Sequence, residues 1–250
     1  MWSRMAAALD GRRLFGTNGV RGLVNKELTL ELVLELSQAI GTFFKGGKMV
    51  VGSDGRTSSP ALRNLAMGGL ASVGCKIYDI GLAPTPMIDF LTPAWKADGG
   101  IAVTASHNPP EYNGIKTIAS DGIETDRDEE LEIEKIYFSR SWKRANWDRV
   151  GDIIRAETGL REYLDSIMKQ VNVRTIRSRR LKVVVDPGNG VSALTTPILL
   201  SELGCKVLTI NANLDGTFPG RPSEPRPDTI GSLMNLVRSS GADFGVAFDG

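Results

Sequence analysis

The sequence predicts an α/β protein of two duplicated domains, each a mixed, mostly parallel sheet covered by helices. Short apolar runs of strand length alternate with stretches of helical period, which is the pattern of strand–helix–strand units. The order also repeats, because Gly-Cys-Lys-Ile at residues 74–77 is matched by Gly-Cys-Lys-Val at residues 204–207. Residues 98–103 and 243–248 form a second match in the same order. Two ordered matches favour a duplication over chance similarity.

The elements of the first domain follow from local patterns. Apolar residues recur with a helical period over residues 30–44, and residues 48–52 form a buried strand that ends in a turn. A helical stretch follows Pro60, because proline is favoured in the first turn of a helix. Residues 75–80 and 101–103 are predicted to be further strands.

The second domain repeats this plan. Residues 181–185 are a predicted strand that runs into the turn at residues 186–190. A helical stretch over residues 192–203 leads to the next strand, which begins within residues 203–207. A further helix is predicted at residues 158–171.

A polar stretch at residues 144–152 interrupts the pattern between the two halves. It places the domain boundary between residues 142 and 156, and we therefore predict domains at residues 1–150 and 151–250. The short basic cluster at residues 174–180 is expected to be a solvated connection.

Composition excludes several classes of protein. The 250 residues carry 30 Lys and Arg against 29 Asp and Glu, so the chain lacks the basic surface of a nucleic-acid partner. It has no run of about 18 apolar residues, and hence no predicted membrane-spanning helix. Cys75 and Cys205 lie in strand-like runs and are expected to be buried free thiols. This composition predicts a cytoplasmic protein and is compatible with a homo-oligomer.

Residues 99–116 carry the strongest indication of chemistry. A strand of small apolar residues ends in a proline-rich loop that holds Ser106, His107 and Asn108, and Lys116 follows. A serine hydroxyl at a strand end can be phosphorylated or can attack, if a base or a metal assists it. A hydrolytic triad is disfavoured, because His107 is the single histidine and the G-x-S-x-G elbow is missing. On these residues alone, Ser106 capping a turn remains an alternative.

Two other segments offer weaker signals. Residues 15–22 combine three glycines with Arg21, whose guanidinium can pair with a phosphate, although a simple turn is as good a reading. Asp249 follows a predicted strand and is either a ligand for a hard cation or a turn former. Under the duplication, Asp249 and the Ser106 loop leave equivalent strands, which predicts that they meet in one cleft.

Two further segments are expected to be structural. Asp54 and Arg56 are expected to buttress the neighbouring Ser106 loop. The Pro/Gly loop at residues 215–225 is long enough to be functional, but its residue types favour a rigid surface loop.

Together these runs resemble the α-D-phosphohexomutase family. The matching pieces are FGTNGVRG at residues 15–22, VGSDGR at 51–56, TASHNPPEYNGIK at 104–116, DPGNG at 186–190, DGTFPGRPSEP at 215–225 and the opening of a metal loop at 247–250. They occur in the family's order, and the run at residues 104–116 is the most specific.

The resemblance implies a set of roles. Ser106 would carry the transferable phosphate and contribute to the metal site, and Asp249 would be the first of three aspartates that bind Mg2+. Arg21 and Lys116 would serve in proton transfer and charge stabilisation. His107 would be catalytic, and His107 and Asn108 would contact the phosphoserine or the sugar phosphate. Arg21 and Lys116 would also bind the substrate.

The activity implied is interconversion of hexose 1-phosphate and hexose 6-phosphate through a hexose 1,6-bisphosphate. The resemblance also implies that the family's third and fourth domains, and the rest of its metal loop, lie outside these 250 residues, so that the chain as given is catalytically incomplete. The hexose stays open. A metal-dependent sugar phosphatase and a non-catalytic sugar-phosphate binding module are the alternatives.

Overall fold

The computed structural model of the chain describes residues 14–16 and 19–250. Residues 17 and 18, which belong to the glycine-rich run that contains Arg21, lie outside the described residues. None of the helices within the described ranges combines the length and the apolar character needed to cross a membrane.

The first sheet has six strands in the order β1-β5-β4-β2-β3-β6. Their bounds are Val20–Leu23 (β1), Lys48–Ser53 (β2), Lys76–Leu82 (β3), Gly99–Val103 (β4), Tyr112–Ala119 (β5) and Ile153–Arg155 (β6). Strands β2, β3, β4 and β6 pair in parallel, whereas β5 is antiparallel to both β1 and β4. The sheet is therefore mixed and mostly parallel, as predicted.

Helices cover both faces of this sheet. Their bounds are Leu30–Phe43 (α1), Ser59–Ser72 (α2), Thr85–Ala94 (α3) and Arg127–Ser139 (α4). Helices α1, α2 and α4 contribute to one apolar core, and α3 packs through Met87, Ile88 and Leu91 on the opposite face. All five residues of β4 are buried, as expected for a central strand covered on both faces.

The second sheet has three parallel strands in the order β8-β7-β9. Its strands and helices are Lys182–Asp186 (β7), Lys206–Thr209 (β8), Phe244–Ala247 (β9), Gly159–Gln170 (α5), Val173–Arg179 (α6), Thr196–Glu202 (α7) and Gly231–Ser240 (α8). Short 3-10 helices span Trp147–Arg149 and Val191–Leu194.

The topology confirms the duplication. The order β3-β2-β4 of the first sheet is repeated by β8-β7-β9 of the second, with parallel pairing in both. In the matched strands, Val51 lies opposite Ile101 and Val185 lies opposite Val246. Strands β4 and β9 are thus equivalent, as residues 98–103 and 243–248 predicted.

Two local expectations are wrong. The basic cluster at residues 174–180 is mostly helix α6, whose start is capped by the Asn172 side chain accepting a hydrogen bond from the Thr175 amide. Cys205 is half-buried rather than buried, because it precedes β8, an edge strand of the three-stranded second sheet. Cys75 is buried, and both cysteines are free thiols.

The segment after residue 150 also contacts the first domain. Strand β6 pairs with β3, and Leu160 and Tyr163 of α5 pack against the core that α3 forms. The Trp95 indole donates a hydrogen bond to Glu162 at 2.8 Å. The boundary between residues 150 and 151 stays a prediction, and the segment beyond it ties the two domains together.

Candidate active site

The loops that follow β4 and β9 meet at the ends of these equivalent strands. The Ser106 hydroxyl donates to Oδ2 of Asp249 at 2.9 Å, across 143 residues of sequence. Loops at the carboxyl ends of parallel strands gather on one edge of a sheet, and the duplication brings two such edges face to face. The serine and the aspartate for which the sequence predicted a common cleft therefore lie in direct contact.

The backbone at Ser106 is held in an uncommon conformation. Its φ is 54°, in the left-handed region that residues other than glycine rarely adopt. The Ser106 amide donates to Thr104 Oγ1 at 3.0 Å, and the Asn108 amide donates to the Ala105 carbonyl at 3.1 Å. Such a conformation persists where the surrounding structure enforces it, and it presents the Ser106 hydroxyl toward Asp249.

Arg56 is the group that fixes this loop. It is 1% exposed, and its Nε donates to Oδ2 of Asp54 at 3.0 Å. Its two terminal nitrogens donate to the carbonyls of Ser106, Asn108, Pro109 and Tyr112 at 2.6 to 3.1 Å. Burial lowers the pKa of Arg56, and Asp54 opposes that shift. The predicted buttress is confirmed.

A second arginine performs the same task for the loop that carries Asp249. Arg221 donates through Nε to Oδ2 of Asp186 at 2.8 Å and through Nη2 to the Phe248 carbonyl at 2.6 Å. Asp186 ends β7, and both charged residues are buried. Asp186 and Arg221 both lie within the motifs quoted above, but they are 35 residues apart and nothing in the sequence indicates that they pair.

The Pro/Gly loop at residues 215–225 joins the two domains at the site. The Ser223 hydroxyl donates to the carbonyls of His107 and Asn108. The Arg56 guanidinium lies 5.0 Å from the centre of the Phe218 ring. The expectation of a surface loop is therefore wrong for its centre, because Phe218, Arg221 and Ser223 are buried against the Ser106 loop and β7.

Arg21 approaches the same loop from β1. Its Nη1 donates to Oδ1 of Asn108 at 3.0 Å and to the Ala105 carbonyl at 3.2 Å. Burial lowers the pKa of Arg21, and the carboxylates of Glu124 and Asp249 oppose the shift. The guanidinium is thus close to both the serine loop and the aspartate.

Lys116 lies on β5 and is 8% exposed. Its Nζ donates to Oε1 of Glu124 at 2.7 Å, and the two side chains form an ion pair. Lys116, Ser106 and Asp249 line one cavity of about 320 Å³, together with Ser192 and Tyr163. Glu124 lies outside every motif quoted above.

His107 is placed beside the serine but outside this cavity. Its Nδ1 lies 3.4 Å from the Ser106 Oγ, longer than an ordinary hydrogen bond, whereas the Ser106–Asp249 contact is 2.9 Å. His107 and Asn108 line a neighbouring cavity of about 560 Å³, and the loop at residues 215–225 lines its opposite side.

The oxygen atoms at Ser106 and Asp249 suit a hard cation such as Mg2+. A carboxylate beside the serine hydroxyl is a donor set of the right chemistry. Within the described residues, however, no three His, Cys, Asp or Glu side chains are grouped closely enough to hold a metal. The fit therefore rests on Asp249 and on the oxygen atoms that a phosphate on Ser106 would add.

The match to known protein families decides the relationship. Residues 12–144 match the model of phosphoglucomutase/phosphomannomutase domain I, an alpha/beta/alpha domain, and residues 161–250 match that of domain II. The chain belongs to the phosphoglucomutase/phosphomannomutase family. The resemblance to the phosphohexomutases is thereby confirmed, as is the arrangement of two related domains.

Relatives of this family are similar over nearly all of the chain. The phosphoglucomutase/phosphomannomutase of Thermococcus kodakarensis is 45% identical over 243 residues, which are 95% of this chain and 53% of that protein. The phosphoglucosamine/phosphogalactosamine mutase of Sulfurisphaera tokodaii is 45% identical over 240 residues, with the same coverage. The chain thus spans about half the length of the curated relatives it matches.

A crystal structure supports the fold of this phosphoglucomutase/phosphomannomutase family member. The structure of a phosphoglucomutase/phosphomannomutase family protein from Burkholderia thailandensis matches with a TM-score of 0.84 at 28% identity. The match covers 95% of this chain and 52% of that one.

Proposed function

We propose that the protein is a phosphohexomutase that interconverts hexose 1-phosphate and hexose 6-phosphate through a phosphorylated Ser106. The observation that carries the proposal is the contact of the Ser106 hydroxyl with Asp249, flanked by Arg21 and Lys116. A nucleophilic oxygen, a carboxylate and two cations are the groups that phosphoryl transfer needs, since that reaction depends on positioning and charge stabilisation.

The reaction conserves the phosphoryl group. The free hydroxyl oxygen of the bound hexose monophosphate attacks the phosphorus of phosphoserine 106, so an oxygen–phosphorus bond to the sugar forms and the bond to Ser106 Oγ breaks. The attacking hydroxyl gives up its proton and the departing Oγ takes one up. The resulting hexose 1,6-bisphosphate then returns its other phosphoryl group to Ser106 by the reverse exchange.

The chain's own residues have distinct tasks in this exchange. Arg21 holds Asn108 and the Ala105 carbonyl, so its guanidinium stays close to the oxygen atoms that exchange phosphorus. Lys116, as an ammonium, can donate a proton to the departing oxygen or stabilise its charge. His107 and Asn108 lie beside Ser106, where the phosphate or the sugar would be contacted.

Mg2+ is the cofactor that we infer, with Asp249 and the phosphate on Ser106 among its ligands. Such a cation neutralises phosphate oxygens as charge shifts between them. We also infer a cytoplasmic location, which the free thiols Cys75 and Cys205 support.

The hexose is not assigned to one sugar. The two relatives of equal identity carry names for different sugars, one for glucose and mannose phosphates and one for amino-sugar phosphates. Assays of the complete protein with the glucose, mannose and glucosamine phosphates would rank them.

The test is the variant Ser106→Ala in the complete protein of which this chain is all or part. We expect the phosphopeptide that contains residue 106 to disappear from its mass spectrum and the turnover of hexose 1-phosphate to collapse. Ser120→Ala, an exposed serine, is the matched control and should retain both. A loss of turnover below tenfold, about 1.4 kcal/mol of transition-state stabilisation, contradicts the proposal.

The same assay separates the two alternatives. A sugar phosphatase would release inorganic phosphate without any requirement for a hexose bisphosphate. A binding module would bind hexose phosphate with no turnover. Neither is favoured by a specific contact in the structure.

A further inference from the structure

Glu124 contacts the proposed site without belonging to any of the recognised motifs. It lies five residues beyond β5, where the chain turns back and runs beside that strand. Ile118 and Glu124 form an isolated antiparallel pair, and the Thr125 amide donates to the Thr117 carbonyl at 3.0 Å. The backbone at Glu124 is therefore fixed by the sheet.

The turn that precedes Glu124 is also fixed by packing. Gly122 has a φ of 86°, and a Cβ added there would lie 2.3 Å from the Asp89 carbonyl oxygen of α3. A glycine is required at this point, because the turn needs both a left-handed conformation and a close approach to the helix. The position of the Glu124 carboxylate thus follows from a rigid hairpin that rests on α3.

The carboxylate of Glu124 holds Lys116. The Nζ–Oε1 distance is 2.7 Å, and the side chains are 11% exposed for Lys116 and 37% exposed for Glu124. A lysine side chain has four rotatable bonds, and it loses reach and direction when no partner holds its end. Glu124 therefore fixes the direction of the Lys116 ammonium. Lys116 lines the same cavity as Ser106 and Asp249.

Glu124 also interacts electrostatically with Arg21. Its charge raises the pKa of Arg21 against the lowering that burial causes, and Asp249 adds a smaller effect in the same direction. Glu124 thus forms an ion pair with Lys116 and interacts electrostatically with Arg21, the two cations assigned to the exchanging oxygens. Its negative charge offsets their mutual repulsion and favours the charged form of Arg21.

We propose that Glu124 is a positioning residue of the phosphoryl-transfer site, which holds the Lys116 side chain in the cavity that Ser106 also lines and balances the charges of Lys116 and Arg21. The inference rests on the proposed mutase function. The other titratable groups that line the cavity with Lys116 are Asp54, Tyr163 and Asp249, and Asp89 on α3 interacts electrostatically with Lys116.

The test compares Glu124→Gln and Glu124→Ala with Glu132→Gln in the complete protein. The glutamine keeps an acceptor for Lys116 but removes the charge, the alanine removes both, and Glu132 is an exposed glutamate of α4 that serves as the matched control. We expect kcat to fall about tenfold in Glu124→Gln and about a hundredfold in Glu124→Ala, with KM changed less than threefold. Glu132→Gln should match the wild type.

A second readout separates positioning from folding. The basic limb of the kcat profile against pH should move to lower pH in Glu124→Gln, because the charge of Glu124 raises the pKa of Arg21. Melting temperatures should stay within about 3 °C of the wild type, since an ion pair with a partner 37% exposed stabilises the fold only slightly.

Two results would overturn the proposal while leaving the mutase function intact. One is a kcat within twofold of wild type in both Glu124 variants. The other is a fall in kcat that follows the loss of folded protein and leaves the pH profile unmoved. If the wild-type protein itself has no mutase turnover, the proposed function fails, and this role for Glu124 fails with it.

Discussion

Replacing Arg56 by methionine tests how the Ser106 loop is held. The side chain of Arg56 is fully buried, and all five of its N–H donors are used, one on Asp54 and four on carbonyls of the loop. Methionine is similar in length but supplies no charge and no donor. The Arg56→Met variant would leave the Asp54 carboxylate, which is 3% exposed, without its charged partner.

The expected loss is large because the unpaired groups stay buried. Removing one partner of a buried ion pair costs about 3 to 5 kcal/mol, most of it from the uncompensated charge that remains. Adding Asp54→Asn to Arg56→Met should recover about 1 to 2 kcal/mol, since it removes that charge but not the four unsatisfied carbonyls. We also expect Ser106 to lose its left-handed backbone conformation, and turnover with it.

Urea unfolding of the complete protein measures the loss, and Arg140→Met is its control. Arg140 also forms one ion pair, at 2.7 Å with Glu35, but its side chain is 53% exposed, so its replacement should cost less than about 1 kcal/mol. If Arg56→Met costs no more free energy of unfolding than Arg140→Met, the reasoning about a buried anchor is refuted. Normal Ser106 phosphorylation in a stably folded Arg56→Met variant would refute its role in the loop.

Two further predictions concern titration and thiol chemistry. Burial raises the pKa of Asp89 to about 6, and the charge of Glu124 adds to that shift. The Oδ1 atom of Asp89 has no hydrogen-bond partner among the described residues. The free energy of unfolding should therefore fall as pH rises from about 4 to about 6, because the folded state keeps the proton of Asp89 to a higher pH than the unfolded state does. Asp89→Asn removes this loss, so its free energy of unfolding relative to wild type should rise by roughly 2 to 3 kcal/mol between pH 4 and pH 7. Asp148→Asn, at an exposed aspartate, should show no such rise. Equal pH dependence in the two variants would contradict the raised pKa of Asp89. Burial also raises the pKa of the Cys75 thiol to about 12. Iodoacetamide at pH 8 should therefore modify half-buried Cys205 in the folded protein and Cys75 only after unfolding. Peptide mass spectrometry measures the modification of each thiol. Equal labelling rates for the two thiols would show that Cys75 is accessible.

Local patterns predicted the strands and helices of the repeated unit, but they did not predict β1, β5, β6, α3, α4 or α8. The strand that became β2 and the helix that became α1 were predicted within a residue or two, because apolar periodicity and turn residues act over short distances. The repeated order of strands followed from two short matches. Helix α6 was missed because its sequence is short and strongly basic, and its stability comes from a cap that composition does not reveal.

The candidate site was predicted less evenly. The sequence located the Ser106 loop and Asp249, and the duplication indicated that they meet. It also indicated that Arg56 supports the loop, since the two segments leave neighbouring strands. It did not indicate that Arg221 pairs with Asp186, or that Glu124 holds Lys116.

The sequence by itself therefore determined the repeated order of strands and helices in the two halves, the duplication, and the loop in which we propose the reactive serine. These depend on the spacing of residue types along the chain. The tertiary structure alone decided which charged groups face one another. It alone also decided that the loop at residues 215–225 packs against the Ser106 loop and Arg56. The contacts of that loop with the Ser106 loop and Arg56 join residues more than a hundred positions apart and depend on how the two domains pack. The pairs Asp186–Arg221 and Lys116–Glu124 are 35 and 8 residues apart and depend on how loops fold back within a domain, which no local pattern in the chain records.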